Sequence, residues 1–158
     1  METQPVLETL RGHPFVAGLA PHHVEKLAGM AREVRYQDGQ IIFRQADKSN
    51  LFCLVISGKI GIEVNAPGRT FRIQTIGEGE TFGWSSVLGG RDKQFQARAV
   101  GAVRALAFDG AELRAACDAD CGLGYAVMRR LLRVVADRLQ ALRLQLLDVY
   151  TPTGAKQA

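Results

Sequence analysis

The stretch Gly77-Glu78-Gly79-Glu80-Thr81-Phe82-Gly83-Trp84-Ser85-Ser86-Val87-Leu88, continued by Lys93-Gln94-Phe95-Gln96-Ala97-Arg98-Ala99, holds the residue types suited to gripping an anion. Its glycines punctuate a strand that runs into a short helix, a polar loop and a second strand. Free backbone N–H groups at the start of that helix, at Ser85 and Ser86, together with a cation a few residues on, make a phosphate-holding set. Lys93 is such a cation. Catalysis has no such support. His13, His22 and His23 all precede the strands, where surface positions are expected for them, so no nucleophile–base pair forms near the anion site. Metal chemistry on inner-strand histidines is unsupported for the same reason. The reading is a binding protein, not an enzyme, and no metal site is expected.

The elements that position this set follow from periodicity. Residues 1–13 read as a loose lead-in. Pro21 suits a first helical position, and Val24, Leu27 and Met30 continue at helical spacing, predicting a small amphipathic helix over 21–31. From Val34 the period becomes two. Asp38-Gly39, Ser57-Gly58 and Ala66-Pro67-Gly68 read as turns, Leu51–Ile56 as a strand buried on both faces, and 97–108 as two strands broken at Gly101. About eight short strands at close spacing indicate a sandwich or rolled barrel. Asp109, with Glu112 three residues on, predicts a capped helix.

The last helix, from about Leu123 to Tyr150, carries Met128, Leu132, Val135, Leu139, Leu142, Leu146 and Val149 at alternating spacings of four and three. That is a heptad seam. A second stripe, Val127, Leu131 and Val134, covers the first half alone. The first half should therefore pack on its own domain and on a partner, the second half mainly on the partner, giving a parallel homodimer. The arginines Arg129, Arg130, Arg133, Arg138 and Arg143 read as the solvated face of this helix.

A hydrophobic content of 47% with 23% charged residues fits a globular domain. No apolar run reaches membrane-spanning length, and the N-terminus lacks the basic and apolar blocks of a signal peptide, so a cytoplasmic protein without membrane contact is expected. Three cysteines, Cys53, Cys117 and Cys121, are too few for a disulfide framework and read as small buried side chains. Cys117 and Cys121, four apart, would share a helix face.

The order of elements, with Leu10…His13-Pro14-Phe15…Gly18-Leu19, Asp38-Gly39-Gln40-Ile41-Ile42-Phe43, Leu54-Val55-Ile56-Ser57-Gly58-Lys59-Ile60, Gly79-Glu80-Thr81-Phe82-Gly83 and Leu147-Asp148-Val149, resembles the cyclic-nucleotide-binding domain of the catabolite-activator (Crp/Fnr) superfamily over residues 10–150. The resemblance implies a mainly β fold with flanking helices: a double-stranded β-helix, or jelly-roll-like β-roll, over 14–120. A dimerisation helix over 121–150 and a disordered tail over 151–158 follow. It implies a cassette in which a glutamate after Phe-Gly holds the ribose 2′-hydroxyl and an arginine pairs with the cyclic phosphate. Here those positions are Trp84 and Lys93, followed by Gln94 and Phe95. Tryptophan cannot accept from ribose, and lysine lacks the bidentate fork that fits phosphate.

Two readings of Trp84 stand open: it fills the ribose space, or it stacks on a flat ligand. Gly83, Ser85, Ser86 and Arg91 or Lys93 remain suited to an anion, with cyclic AMP, cyclic GMP or another small anion as candidate ligand. Matched through Leu147-Asp148-Val149, the resemblance also implies contacts to the base from the long helix near Asp137 and Arg138, of which Arg138 is the better placed. In transcription factors of this superfamily the dimer helix leads into a helix-turn-helix domain. Eight residues follow Tyr150 here, so direct DNA binding is not expected and the downstream partner is an unidentified protein.

Overall fold

The computed structural model describes residues 3–48, 50–89 and 95–151. Helix α1 (Thr3–Arg11), a 3-10 turn (Pro14–Val16) and α2 (Pro21–Met30) lead into β1 (Arg32–Tyr36), β2 (Ile41–Phe43), β3 (Leu51–Ala66), β4 (Arg69–Ile76) and β5 (Thr81–Phe82). Then come α3 (Ser85–Leu88), β6 (Gln96–Asp109), α4 (Gly110–Ala119) and α5 (Cys121–Tyr150). The strands are antiparallel in the order β1-β6-β3-β4, with β2 paired to β6 and β5 to β3.

The predicted mainly-β roll with flanking helices is what forms, with six strands among the described residues where about eight shorter ones are expected. Leu51–Ala66 and Gln96–Asp109 are each one long, bent strand, paired from Leu51↔Asp109 to Glu63↔Gln96. Each therefore serves two places: β3 takes β5 at its start and β4 at its end, while β6 takes β2 first and β1 later. Ser57-Gly58 is not a turn but the bend, where register shifts between Val55 and Lys59. Gly58 has φ +92°, and a Cβ there would lie 2.3 Å from the Ala102 carbonyl oxygen, so the bulge excludes any side chain. Gly101, expected to break a strand, likewise lies inside β6 at φ +73°, where its N–H donates to Asp38 Oδ1 at 2.8 Å.

Alternation along β3 divides two cores. Cys53 and Val55 point into the roll with Phe43, Ile60, Ile76 and Phe82. Phe52 and Leu54 point outward to meet Leu27, Leu106, Phe108, Leu113, Val127 and Leu131. The continuous apolar run at 51–56 thus faces a core on both sides, as its composition predicts.

The N-terminus departs from expectation. Residues 3–11 form α1, whose Leu10 is fully buried in the outer core with Val6 and Leu7 packed beside it. Pro5 lies in the first turn, where its missing N–H costs no helical bond. Nor is His13 a surface residue: it is buried, its Nδ1 accepting the Phe15 N–H at 3.1 Å and its Nε2 lying 3.1 Å from the Val55 carbonyl. A ring that accepts at Nδ1 and donates at Nε2 is neutral. Burial pushes its pKa below the ordinary value, against the raising effect of the Val55 and Glu80 backbone groups. The unfolded state protonates this histidine near pH 6.5, above the folded state, so it binds more protons on the acid side and stability falls as pH drops below about 6.5. Urea midpoints measured from pH 7.5 to 5.5 should show that loss, and His13→Gln, which keeps an N–H for Val55, should flatten it over this window.

Asp109 caps α4 as predicted, accepting from Ala111 and Glu112 N–H at 2.9 and 3.1 Å. Asp120 separates α4 from α5 and caps the latter by accepting from Leu123 N–H at 3.2 Å. Cys117 and Cys121 consequently belong to different helices: Cys117 is buried and Cys121 exposed, so the shared helix face and the buried reading of Cys121 both fail. Among the described residues no group of acidic, cysteine and histidine side chains is placed to hold a metal, and no helix is long and apolar enough to cross a membrane.

The second stripe of α5 is buried at Val127 and Leu131 and half-buried at Val134. Along the seam, Leu132, Leu139, Leu142, Leu146 and Val149 are exposed, and Met128 and Val135 half-buried. Of the expected tail only Thr151 is described; it donates to the Leu147 carbonyl at 2.8 Å.

Candidate functional site

The glycine-punctuated stretch is held by β3. Gly79 N–H donates to Val55 O at 3.0 Å, Val55 N–H returns a bond to Glu80 O at 2.9 Å, and Glu80 Oε2 closes the turn by accepting from Gly77 N–H at 2.7 Å. Strand β5 then pairs Thr81 and Phe82 with Leu54 and Cys53. Gly83 turns the chain away at φ +80°, where a Cβ would lie 2.2 Å from the Leu51 carbonyl oxygen.

Beyond it the predicted site residues separate. Trp84 is half-buried at the start of α3 and packs against the outer core, outside the cavity described below. Ser86 is buried, its hydroxyl donating to Gly83 O at 2.7 Å and wedged where a Cβ on Gly110 would meet it. Ser85 is half-buried and Phe95 is exposed. Arg91, Lys93 and Gln94 lie outside the described residues.

The concave feature lies against α5. A cavity of about 690 Å³ opens between the 14–20 segment, the β4–β5 region and α5. From the roll come Gln74, Ile76, Gly79, Glu80 and Thr81, and from the N-terminal segment Pro14, Phe15, Gly18 and Leu19. Helix α5 contributes Tyr125, Arg129, Arg130, Arg133, Asp137 and Arg138. Arg138, predicted from the long helix, therefore reaches a cavity, whereas Gly83, Trp84, Ser85, Ser86 and Phe95 are not among its lining residues. Burial pushes the Arg138 guanidinium down to about 10, against the opposing pull of Glu80 across the cavity.

The other three arginines were expected in the solvated face. Arg129 and Arg133 are exposed, as expected, and line the cavity, while Arg130 packs against the 14–20 segment, a neighbour that helical periodicity does not reveal. Arg130 is anchored, donating to the Ala17 carbonyl and to Ala126 O. Its pKa is lowered by burial and by the like charges of Arg133 and Arg129. Thr81, a cavity-wall residue, keeps its hydroxyl buried with no hydrogen-bond partner among the described residues. His23, another residue read as surface, also lines the cavity, with Nε2 3.8 Å from Asp120.

A further polar cluster escaped the sequence reading. Glu63 is buried at the end of β3 and accepts from Gln96 Nε2 at 2.9 Å, Arg98 Nε at 3.1 Å and Arg72 at 3.4 Å. Burial raises its pKa, but these bonds outweigh burial and hold the carboxyl below the ordinary value. It is a satisfied structural network.

Residues 33–120 match the family model of the cyclic nucleotide-binding domain. The chain belongs to this family. A curated relative, the cyclic AMP receptor protein of Thermus thermophilus, is 31% identical over 134 residues, covering 84% of this chain and 56% of that protein, so the chain spans about half of its relative's length. The solved catabolite activator protein of Thermus thermophilus superposes with a TM-score of 0.70 at 28% identity, covering 86% of this chain and 62% of that one. A cyclic nucleotide-binding domain from Methylobacillus flagellatus reaches 0.79 at 16% identity, covering 95% and 85%, a likeness of fold alone. The cyclic nucleotide-binding domain is thus defined here by its roll, and this member carries tryptophan after Phe82-Gly83.

Proposed function

We propose that this cyclic nucleotide-binding domain is a regulatory module, not an enzyme: a homodimer that senses a small anionic ligand of the nucleotide class held between the β-roll and α5. The observation that carries this reading is the cavity itself. Its walls are Gln74, Ile76 and Thr81 on the roll and Arg138 with its neighbours on the helix, so occupancy ties the position of α5 to the ligand. A ligand that binds one helix position better than another shifts the population between them. Two copies would pair through Met128, Leu132, Val135, Leu139, Leu142, Leu146 and Val149, making the helix movement a change in the dimer surface read by a downstream protein. The cassette is degenerate in this account, and its α3 serves mainly to fix the roll to the outer core.

The kinship with a cyclic AMP receptor protein makes cyclic AMP and cyclic GMP the first ligands to test. Calorimetric titration is expected to show micromolar-range binding of a nucleotide (about −8 kcal/mol for 1 μM), weakened at least tenfold by Arg138→Gln. Equal binding by the variant would remove α5 from the site.

A ligand-free interaction dimer is the second reading. Trp84 packed on the outer core and Ser86 spent on Gly83 favour it. Absence of heat and of any thermal shift with every nucleotide tested would establish it.

A further inference from the structure

Resting on the cavity as the ligand site, its charge pattern narrows the ligand class. Tyr125, Arg129 and Arg133 follow at intervals of four along α5, all exposed and all lining the cavity. Residues so spaced lie on one helix face. Neither the Arg129 nor the Arg133 side chain has a hydrogen-bond or ion-pair partner among the described residues. With Arg130 and Arg138, four guanidiniums line a space that offers two carboxylates, Glu80 and Asp137, and the Glu80 carboxylate already accepts from Gly77 N–H.

Such crowding of cations is unfavourable until an anion enters. Guanidiniums suit phosphate and carboxylate oxygens through paired N–H donors. Phe15, Leu19, Ile76 and Val134 supply apolar wall, and Tyr125 an exposed ring at the mouth. The volume falls within the range of small-molecule sites.

We propose that the cavity is built for a ligand with at least two adjacent anionic groups on a planar body, of the nucleoside diphosphate class, in preference to a cyclic mononucleotide. The tyrosine face takes the base and the Arg129–Arg133 pair takes the phosphates. A cyclic mononucleotide brings one charge and leaves one of the two guanidiniums unmatched.

Titration of the intact dimer with ADP and with cyclic AMP in metal-free buffer at physiological salt tests this. ADP should bind about tenfold or more tightly than cyclic AMP, since charge-assisted bonds gained at a second phosphate are of that size. R129A/R133A should remove most of that preference while leaving circular dichroism and dimer mass unchanged, and R143A, an exposed cation of the same helix outside the cavity, should leave the preference intact. Equal affinity for the two nucleotides, or an ADP affinity indifferent to R129A/R133A, would overturn the diphosphate class while the sensing role stands. An equal loss in R143A would reduce the effect to general charge attraction and also overturn it. Binding of neither nucleotide, with no thermal shift from either, would sink the sensing reading itself.

Discussion

Arginine at both Leu139 and Leu142 is expected to convert the proposed dimer to monomers. The two leucines stand 49% and 42% exposed on a helix whose inner stripe is already satisfied by its own domain. With Leu146 and Val149 they continue the four-three spacing beyond the last buried position, Leu131, and a long apolar strip of this kind marks an association surface. Burying each leucine across a parallel seam contributes about 1.5–3 kcal/mol. Placing arginines at these positions removes that and forces like charges together across the dimer axis. Light scattering should report twice the 17.2 kDa chain mass for the native protein and the single-chain mass for the variant. The folded roll should survive, because neither residue belongs to its cores. An unchanged dimer would place the interface elsewhere.

Gly83→Ala should unfold the protein at much lower urea. The left-handed backbone at φ +80° costs a residue with a Cβ about 1–2 kcal/mol. A Cβ 2.2 Å from the Leu51 carbonyl oxygen also forces β3 or the start of α3 to move, adding about 1–3 kcal/mol of overpacking. Gly68→Ala separates the two contributions: φ is +75° there, but a Cβ meets nothing within 4 Å, so only the backbone cost applies. Urea titration of the three proteins should rank the midpoints native, Gly68→Ala, Gly83→Ala. Coincident variants would mean that the close approach to Leu51 relaxes freely.

Much of this architecture is legible in the chain, and the exceptions share physical causes. Leu51–Ile56 announces a strand between two cores because apolar side chains are needed on both faces, and Asp109 announces a helix because its side chain competes for the first free N–H groups. Ser57-Gly58 and Gly101 mislead because a glycine at positive φ serves a turn and a β-bulge equally well, and only the partner strand decides. Helix α1 is hidden by its brevity: Val6, Leu7 and Leu10 make one apolar face whose worth depends on the roll it meets.

The site divides along the same line. Arg138 was reachable by matching the end of α5. Arg129, Arg130 and Arg133 were not, since the cavity beside this charged face exists only once the 14–20 segment and the roll lie next to α5. Trp84 packs beside the outer core, a neighbour that the spacing of the cassette does not reveal.

Hydrogen exchange of the native protein, free and saturated with the tighter binder of cyclic AMP and ADP, tests the central claim most directly. Binding between roll and helix predicts added protection on both cavity walls, at residues 74–81 and 125–141, with a change carried along α5 into 139–149. Protection confined to 83–89, with α5 unaffected, would contradict the account and return the ligand to the cassette.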